Sequence, residues 1–396
     1  MILDKIKPSL QEQQYLRKIS NEIISKIKIP NTKVILGGSG AKNTYLKTTR
    51  DIDIYVKFNY SKYKNKSNQI SNILYKYLKK KFKVSRLHGS RDYYQIKKYG
   101  FTFEIIPILD IKNYKQAKNI TDVSHLHVAY VKKHAKLADE IRLAKAFAQA
   151  QEVYGAESYI KGFSGYVLEL LVIYYGSFKN LIKAASKWQH KEIIGSKKLY
   201  EKLNYSKKQS PLVLIDPIQP DRNSAAALSN EKYQKFIQAC KEYLKKPSDD
   251  LFEKKEFSID LRKKNINLIL LEVIPLKGKQ DVIGSKLLKV FEFIKKQLTI
   301  EGYSIQESNW HWNSKAYFYY ILEDLKIEPH KIHYGPYITD TINYEAFKKK
   351  YKNILIDKDK CYVKIQRKYN NAKDFVKSLL KNKEIISRVK NIDILN

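Results

Sequence analysis

Alternating apolar and polar positions predict two strands in the first third of the chain. Residues 51–54 run Asp-Ile-Asp-Ile, and residues 101–107 run Phe-Thr-Phe-Glu-Ile-Ile-Pro. Successive side chains of a strand point to opposite faces, so Asp51 and Asp53 share one face while the intervening isoleucines enter the core. By the same rule Glu104 lies on the face opposite the phenylalanines. The pattern therefore predicts a sheet that carries acidic side chains on one face.

Helical spacing predicts two helices that flank these strands. Residues 1–30 place apolar side chains at helical intervals among charges, and the pattern stops at a proline. Residues 61–83 form a strongly basic segment with an apolar stripe of the same period. Two strands follow, around residues 93–98 and residues 101–108. Strands interleaved with helices predict an α/β arrangement for this part of the chain.

The middle of the chain follows a helical pattern. In the helix that ends near Gly155, apolar side chains form one stripe, while Arg142 and Lys145 recur on a polar one. Ser164 then caps a helix that is apolar almost all round and is therefore expected in the core. We interpret Glu169 within that helix as a satisfied structural acid.

A proline-bounded turn follows over residues 215–222. We expect it to lead into a helix capped at Asn223 or Ser224. That arrangement would place Arg222 beside a helix N-terminus, where a guanidinium group can meet a phosphate or a base edge.

The last third of the chain alternates strands and helices. We expect a strand over residues 265–274, an amphipathic helix over 281–299, an aromatic strand over 309–322 and a strand–helix pair over 362–380. With tyrosine and lysine interleaved, this order predicts an RNA-recognition-like module. Four aromatic side chains either fill a core or face RNA: Trp310, Trp312, Tyr317 and Tyr319. Their spacing puts the tryptophans on one face of the strand and the tyrosines on the other.

These changes of pattern predict an α+β multidomain chain. We expect a mixed-sheet domain over residues 1–135, a helical domain over residues 136–250 and an α/β C-terminal domain over residues 251–396.

Charge adds a partner class to this fold prediction. The chain has 76 Lys+Arg against 40 Asp+Glu, a formal net charge of +36. Such an excess suits phosphates or an anionic membrane surface. No apolar run approaches the roughly 18–20 residues of a membrane-spanning helix, and the N-terminus lacks the apolar core of a signal peptide. The two cysteines, Cys240 and Cys361, are far apart, which indicates neither a disulfide framework nor a zinc site. We therefore expect a soluble, cytoplasmic protein.

Residues 33–58 bring candidate catalytic chemistry together. An apolar strand leads into Gly37-Gly38-Ser39, a short helix follows, and then comes the strand with Asp51 and Asp53. Glycines let backbone amides approach a triphosphate, and a helix N-terminus carries partial positive charge. Two carboxylates on one strand face can bracket a pair of Mg²⁺ ions roughly 3.5–4 Å apart. The alternative is an ordinary turn followed by two solvent-facing acids.

A third carboxylate has two candidates. Glu104 is a lone acid on an otherwise apolar strand, where burial is costly unless the acid is paired or binds a cation. It could hold the metal and accept the proton of an attacking hydroxyl. The alternatives are an edge-strand acid that meets a lysine, and Asp110 in the same role.

Four segments together resemble a known family. GGSGAKNTYLKTTRDIDIYV, FTFEIIPILD, DEIRLAKAFAQAQEVYGAESYIKGFSGYVLELLVIYYGSF and DPIQPDRNSAAALS occur in the order and spacing of the archaeal-type (class I) CCA-adding tRNA nucleotidyltransferases. The resemblance is dense over residues 33–230. It implies a catalytic nucleotidyltransferase head of the DNA polymerase beta-like superfamily over residues 1–135 and a helical neck over residues 136–250 that binds nucleotide. It also implies a C-terminal body and tail over residues 251–396 that hold the acceptor and TΨC arms of tRNA. It also implies addition of C, C and A from CTP and ATP with two Mg²⁺ ions, and leaves both a monomer and a homodimer open.

The resemblance also implies roles for individual residues. Asp51 and Asp53 match the metal-binding pair, and Glu104 stands where an aspartate is more frequent. The residues that match nucleotide-binding positions, for ATP and CTP alike, are Ser39, Lys42, His127, Lys145, Tyr154 and Arg222. Lys42 replaces the usual arginine, His125 is the alternative to His127, and Arg222 matches an arginine near the incoming base.

Three hypotheses for the function follow. The first is a CCA-adding enzyme. The second is another RNA terminal nucleotidyltransferase, such as a poly(A) polymerase or an enzyme that adds only part of CCA. The third is a non-catalytic RNA-binding protein built on a transferase fold, against which the intact set of Asp51, Asp53 and Glu104 argues.

Overall fold

The computed structural model describes residues 2–254 and 266–395. The chain divides into two compact units, Met1–Lys255 and Glu256–Asn396. Each unit contains its own hydrophobic cores.

A five-stranded mixed sheet forms the first part of unit 1. Its order is β1-β2-β5-β4-β3, with β2 and β5 parallel and the other neighbours antiparallel. The strands are β1 Thr32–Leu36, β2 Asp51–Asn59, β3 Ser85–Leu87, β4 Tyr93–Lys98 and β5 Phe101–Asp110. The isoleucines of β2, Ile52 and Ile54, and the phenylalanines of β5, Phe101 and Phe103, face a core that helices cover. This is the face that the alternation predicts.

The two helices on that core are shorter than expected. The segment over residues 1–30 is split into α1 Ile2–Ile6 and α2 Leu10–Lys26, because Pro8 has no N–H to continue the helix and Ser9 caps α2 in a capping box with Glu12. The basic segment over residues 61–83 is likewise interrupted.

One short helix precedes the basic segment over residues 61–83, and another forms its beginning. Helix α3 Gly38–Lys42 connects β1 to β2, and α4 covers only Tyr60–Tyr63. A 3₁₀ turn at Lys64–Lys66 separates α4 from α5 Ile70–Leu78. The apolar stripe of the segment lies in α5, whose first and last residues are fully buried. The interruption contains Asn65, Ser67 and Asn68, which are residue types that are unfavourable in helix interiors.

Helices form the rest of unit 1 around a second core. They are α6 Ser124–Lys132, α7 Ala138–Ala150, α8 Gly165–Tyr175, α9 Phe178–Ala185, α10 Lys197–Lys202 and α11 Asn230–Lys245, with a parallel pair β6 Glu192–Ile194 and β7 Leu212–Leu214. Ser164 caps α8 as expected, since its Oγ accepts the Val167 N–H at 3.1 Å.

The helix expected to start at Asn223 or Ser224 is absent from the described residues, and that prediction is wrong. The next helix is α11, which Ser229 caps. The buried Asn223 side chain instead ties the turn to β7. Its Oδ1 accepts the Leu214 N–H at 3.0 Å and its Nδ2 donates to the Leu212 carbonyl at 3.2 Å. These local bonds replace a helical first turn.

Unit 2 contains two antiparallel sheets with helices. One sheet has the order β14-β8-β10-β9 and the other the order β11-β13-β12. The elements are β8 Leu268–Pro275, α12 Gln280–Glu301, β9 Ile305–Trp312, β10 Ala316–Leu322, β11 His330–Tyr337, α13 Thr341–Lys350, β12 Leu355–Asp357, β13 Lys360–Gln366, α14 Ala372–Leu379, α15 Lys383–Ile386 and β14 Val389–Ile394. Asn265, the expected first residue of β8, lies outside the described residues.

The aromatic strand expected over residues 309–322 is a hairpin of β9 and β10 instead. Asn313 turns the chain, with its N–H donating to the Lys315 carbonyl at 3.0 Å. The predicted face parity is right, because Trp310 and Trp312 pack towards the helix-covered core and Tyr319 lies on the opposite face. The tryptophans therefore contribute to the core of unit 2.

Candidate functional site

Three carboxylates share one face of the sheet in unit 1. Parallel pairing of β2 with β5 sets Asp53 directly opposite Glu104 and Asp51 opposite Thr102. Asp51 is exposed, while Asp53 and Glu104 are partly buried. The strict alternation of both strands fixes the face, and the register brings the acids side by side.

Burial and mutual repulsion act on these acids. Burial raises the pKa of Asp53, with Lys42 opposing the rise and Asp51 adding to it. Burial also raises the pKa of Glu104, despite a hydrogen bond from Gln95, and the charges of Asp53 and Asp51 raise it further. A cation at this face would relieve that repulsion.

The chemistry of these side chains fits a divalent metal. Carboxylate oxygens are the ligands that Mg²⁺ and Mn²⁺ prefer. Within residues 2–254 and 266–395, however, no group of three acids, histidines or cysteines is already gathered as a metal-binding cluster. Gln95 Nε2 donates to Glu104 Oε1 at 2.9 Å, which leaves the other oxygen of Glu104 for a metal.

Asp110, the other candidate for the third carboxylate, lies elsewhere. It pairs in register with Asn59, six residues further along β5 than Glu104, a separation of roughly 20 Å at the rise of a strand. Its carboxylate forms an ion pair of 2.7 Å with Lys57. The structure thus brings Glu104, and not Asp110, next to Asp53.

The glycine–serine turn lies against the aspartates. The Gly37 N–H donates to the Asp53 carbonyl oxygen at 2.8 Å, and Gly38 has a left-handed φ of 50°. A Cβ atom on Gly38 would lie 1.6 Å from Asp53 Oδ2, so only glycine fits there. The five-residue helix α3 begins at this turn and carries Ser39 and Lys42.

Glu169 gathers two of the predicted nucleotide-binding lysines. Its Oε2 lies 2.6 Å from Lys42 Nζ, and its Oε1 lies 2.7 Å from Lys145 Nζ. The Thr44 hydroxyl also donates to Oε1, at 2.8 Å. Glu169 is fully buried, so the interpretation of a satisfied acid is confirmed.

These contacts determine the charge states of the cluster. Burial acts to raise the pKa of Glu169, but the charges of Lys145 and Lys42 and their hydrogen bonds lower it to about 2. Burial lowers the pKa of Lys145, while Glu169 opposes that change. Burial, followed by the charge of Glu169, raises the pKa of Tyr154 to about 12. The Tyr154 hydroxyl and the Lys145 side chain both approach Gly165.

A second buried acid, Asp216, gathers the other predicted residues. Arg222 Nη1 lies 3.1 Å and His127 Nε2 lies 3.3 Å from its Oδ2. The His127 ring stacks on Tyr166, with centroids 4.3 Å apart, and the Tyr166 hydroxyl meets Asp216 Oδ1 at 3.3 Å. Arg222 thus lies in a turn beside an acid, and the expected position at a helix N-terminus is wrong.

His125, the alternative to His127, is turned away from this cluster. Its Nε2 lies 2.8 Å from the Ile111 carbonyl oxygen, and burial lowers its pKa. Of the two histidines on α6, His127 is therefore the one that the structure places beside Asp216.

Sequence patterns misplace some residues of the site and miss others. Helical spacing puts Arg142 and Lys145 on a polar stripe, but both are buried. Arg142 donates to the Asn43 and Tyr45 carbonyls, at 2.6 and 3.1 Å, and so holds the turn after α3. Asp216 could have been found as a lone acid between Ile215 and a proline. Nothing in the sequence singled out Thr44 or Tyr166. Only their contacts identify them, those of Thr44 with Glu169 and Lys145 and that of Tyr166 with Asp216.

No helix in the described part of the chain is long and apolar enough to cross a membrane.

The sheet with its acidic face and its glycine–serine turn defines a nucleotidyltransferase. A model of the nucleotidyltransferase domain matches residues 16–133, and the predicted α+β fold class is confirmed. A solved structure of a cytoplasmic RNA terminal U-transferase superposes with a TM-score of 0.50 over 65% of this chain and 97% of its own, at 16% identity. That likeness shows the fold. Enzymes of this fold use divalent metals.

Two further models and full-length relatives identify the family. The second domain of tRNA nucleotidyltransferases matches residues 139–253, and the C-terminal domain of the CCA-adding enzyme matches residues 277–391. A CCA-adding enzyme of Sulfurisphaera tokodaii is 30% identical over 97% of this chain and 91% of its own. One of Methanocaldococcus jannaschii is 31% identical over 96% of this chain and 89% of its own. That of Nanoarchaeum equitans is 33% identical over 89% of this chain and 88% of its own. The chain belongs to the archaeal-type CCA-adding tRNA nucleotidyltransferases, as its motifs predicted.

Proposed function

We propose that this chain adds C, C and A to the 3′ end of tRNA with Asp51, Asp53 and Glu104 as its catalytic carboxylates. The observation that carries the assignment is the register of β2 and β5, which sets Asp53 opposite Glu104 on the face that also bears Asp51. These three side chains would hold Mg²⁺. Bound there, the metal supplies Lewis-acid stabilisation of charge on the triphosphate.

The remaining site residues divide between triphosphate and base. Ser39 and Lys42 on α3, Lys145 on α7, Tyr154 and His127 are assigned to the triphosphate and sugar. Two electrostatic contacts support this assignment, since the charge of Lys42 acts on Asp53 and the charge of Asp53 acts on Tyr154. Lys42 and Lys145 contribute point charges, which suit phosphate whatever the base. Arg222 is assigned to the base, because a guanidinium fork on a turn can distinguish base edges.

Proton transfer is assigned to Glu104. The 3′-hydroxyl oxygen of the RNA forms a bond to the α-phosphorus of the nucleotide, and the bond to the bridging oxygen breaks, so that pyrophosphate leaves. The hydroxyl proton passes to Glu104. The register of β2 and β5 supports this assignment, because it sets Glu104 directly opposite Asp53.

Unit 2 is assigned to the acceptor and TΨC arms of tRNA, within the division into domains 1–135, 136–250 and 251–396. Its β11 exposes Tyr334 and Tyr337, with Lys360 Nζ 5.5 and 5.4 Å from the two ring centroids. Lysine beside exposed aromatic rings suits phosphate contacts and stacking on nucleotides. A cytoplasmic location is proposed as well, since tRNA and nucleoside triphosphates are available there.

The test is a count of added nucleotides. The chain is incubated with a tRNA that lacks CCA, and products are resolved to one nucleotide. We expect two additions with CTP alone, three with CTP and ATP, and none with an Asp53→Asn variant. Long homopolymer tails, or a stop after part of CCA with both nucleotides present, would contradict the assignment and favour another terminal nucleotidyltransferase.

A further inference from the structure

The Glu169 carboxylate connects the two lysines that the proposed function assigns to the triphosphate, and its own role rests on that assignment. Each oxygen of Glu169 meets a different lysine: Lys42 Nζ lies 2.6 Å from Oε2, and Lys145 Nζ lies 2.7 Å from Oε1. The Thr44 hydroxyl donates to Glu169 at 2.8 Å and accepts from Lys145 Nζ at 3.0 Å. One acid therefore fixes both ammonium groups.

These partners come from separate parts of unit 1. Lys42 ends α3, directly after the glycine–serine turn, whereas Lys145 and Glu169 lie on α7 and α8. The position of each lysine relative to the other thus depends on a carboxylate from a third element. A displacement of Glu169 would move both ammonium groups with respect to Asp53.

Burial makes this arrangement electrostatically demanding. The Lys42 and Lys145 side chains are 10% and 5% exposed, and that of Glu169 is fully buried. Two neighbouring ammonium groups away from water repel each other and favour loss of a proton. Glu169 compensates one of the two positive charges. One unit of positive charge remains, which suits a polyanion such as a triphosphate.

We propose that Glu169 is a positioning residue that fixes Lys42 and Lys145 against one polyphosphate, for CTP and ATP alike. It touches no reacting atom and acts through the two lysines. A carboxylate needed only for packing in an apolar helix could be replaced by a leucine at little cost. Here both oxygens are used, each by a lysine, and the charge of one of them, Lys42, also acts on Asp53.

The test compares Glu169→Gln with a matched control. Glutamine keeps the shape of the side chain and removes its charge. We expect the KM values for CTP and ATP to rise together by about tenfold, while kcat changes less and the KM for tRNA stays within about twofold. Glu140→Gln is the control, since Glu140 accepts the Phe178 N–H at 2.8 Å outside this cluster. It should leave all three KM values unchanged.

A pH profile separates positioning from a merely structural role. The charged groups that face Lys145 are Glu169 on α8, Lys42 on α3 and Arg142 on its own helix. Without Glu169, burial and the two cations lower the pKa of Lys145 unopposed. The nucleotide KM of the variant should therefore begin to climb at a lower pH than that of the wild type.

Nucleotide KM values equal to those of the wild type at every pH would overturn the proposal, and so would an equal rise in the KM for tRNA. If Glu169→Gln does not fold, Thr44→Val removes the hydroxyl that joins Glu169 and Lys145, and a rise of about two- to threefold in both nucleotide KM values is expected. Lys145→Ala separates the two proposals. If that change leaves nucleotide binding intact, the proposed assignment of Lys145 to the triphosphate is wrong. If it weakens binding while Glu169→Gln does not, only the role of Glu169 is wrong.

Discussion

A Cβ atom placed on Gly38 would lie 1.6 Å from Oδ2 of Asp53, so the turn and the carboxylate are fitted to each other. The backbone of Gly37 makes the same connection, since its N–H donates to the Asp53 carbonyl at 2.8 Å. The close approach keeps the strand that carries the aspartates against the turn that carries Ser39.

Gly38→Ala should therefore damage catalysis more than stability. The left-handed φ of 50° costs about 1–2 kcal/mol with a Cβ atom present, and the clash displaces the Asp53 carboxylate. We expect CCA addition to fall by more than about tenfold. Gly100→Ala is the control, because Gly100 also has positive φ but open space around it. Equal activities of the two variants would show that the contact with Asp53 is unimportant.

Asp53→Asn should abolish nucleotide addition and leave tRNA affinity within a few-fold of the wild type. A metal ligand acts on the transition state, where its loss raises the barrier by several kcal/mol, whereas the proposed tRNA contacts lie in unit 2. Single-turnover addition and filter binding measure the two effects separately. Near wild-type addition by this variant would exclude Asp53 as a metal ligand.

Glu104→Gln and Asp110→Asn form a matched pair on one strand. Glu104 lies opposite Asp53, while Asp110 is ion-paired with Lys57 at 2.7 Å. We expect the first change to reduce addition about a hundredfold or more and the second to reduce stability only. If Asp110→Asn proves the more damaging to addition, the third carboxylate has been misassigned.

Arg222→Ala should weaken discrimination among CTP, ATP, UTP and GTP, whereas Lys145→Ala should weaken binding of all four alike. A good bidentate contact to a base distinguishes edges by roughly 1–3 kcal/mol, but a lysine charge on phosphate does not. Competition between nucleotides on one tRNA measures the selection. An equal loss for all four with Arg222→Ala would assign Arg222 to RNA phosphate or to structure.

The stability of unit 1 should depend on the charge of Glu169. Despite burial, Lys145 and Lys42 lower its folded-state pKa to about 2, below the ordinary 4.5. A depressed pKa means that the ionised acid stabilises the fold above pH 4.5 and that this contribution disappears as the pH falls towards 2. Glu169→Gln should therefore lower Tm by several degrees at pH 7, and the difference should shrink below about pH 4.5. A difference that grows on acidification would contradict this assignment.

Local patterns predicted the acidic face of the sheet but not the contacts between its residues. Strict alternation assigned Asp53 and Glu104 to polar faces, because a period of two needs only neighbouring residues. Their pairing could not be predicted, since it depends on how the helices between β2 and β5 pack. Helical spacing puts Lys145 on a polar stripe but cannot predict its burial, because its partner Glu169 is on another helix. At Arg222 the helix prediction failed because the next residue bonds to β7.

The last prediction concerns unit 2, and the structure fixes where the chain should be cut. A cut at residue 250 would remove Phe252, which packs among Phe147, Phe178 and Tyr243 in the core of unit 1. It would also remove Leu251, whose carbonyl accepts from Gln151 at 2.8 Å. A shortened chain that ends at Lys255 keeps these contacts and should fold.

That shortened chain should bind tRNA much more weakly than the full chain, because the proposed contacts to the acceptor and TΨC arms belong to unit 2. If unit 2 neutralises several phosphates, the affinity of the full chain falls with salt by about 0.9 log unit per phosphate per decade, and the shortened chain shows a shallower slope. Tyr337→Ala in the full chain should weaken binding without changing the slope, since it removes stacking but no charge. A minihelix of the two arms should remain a substrate of the full chain. Equal affinities and slopes for the full and shortened chains would show that unit 2 does not hold the tRNA.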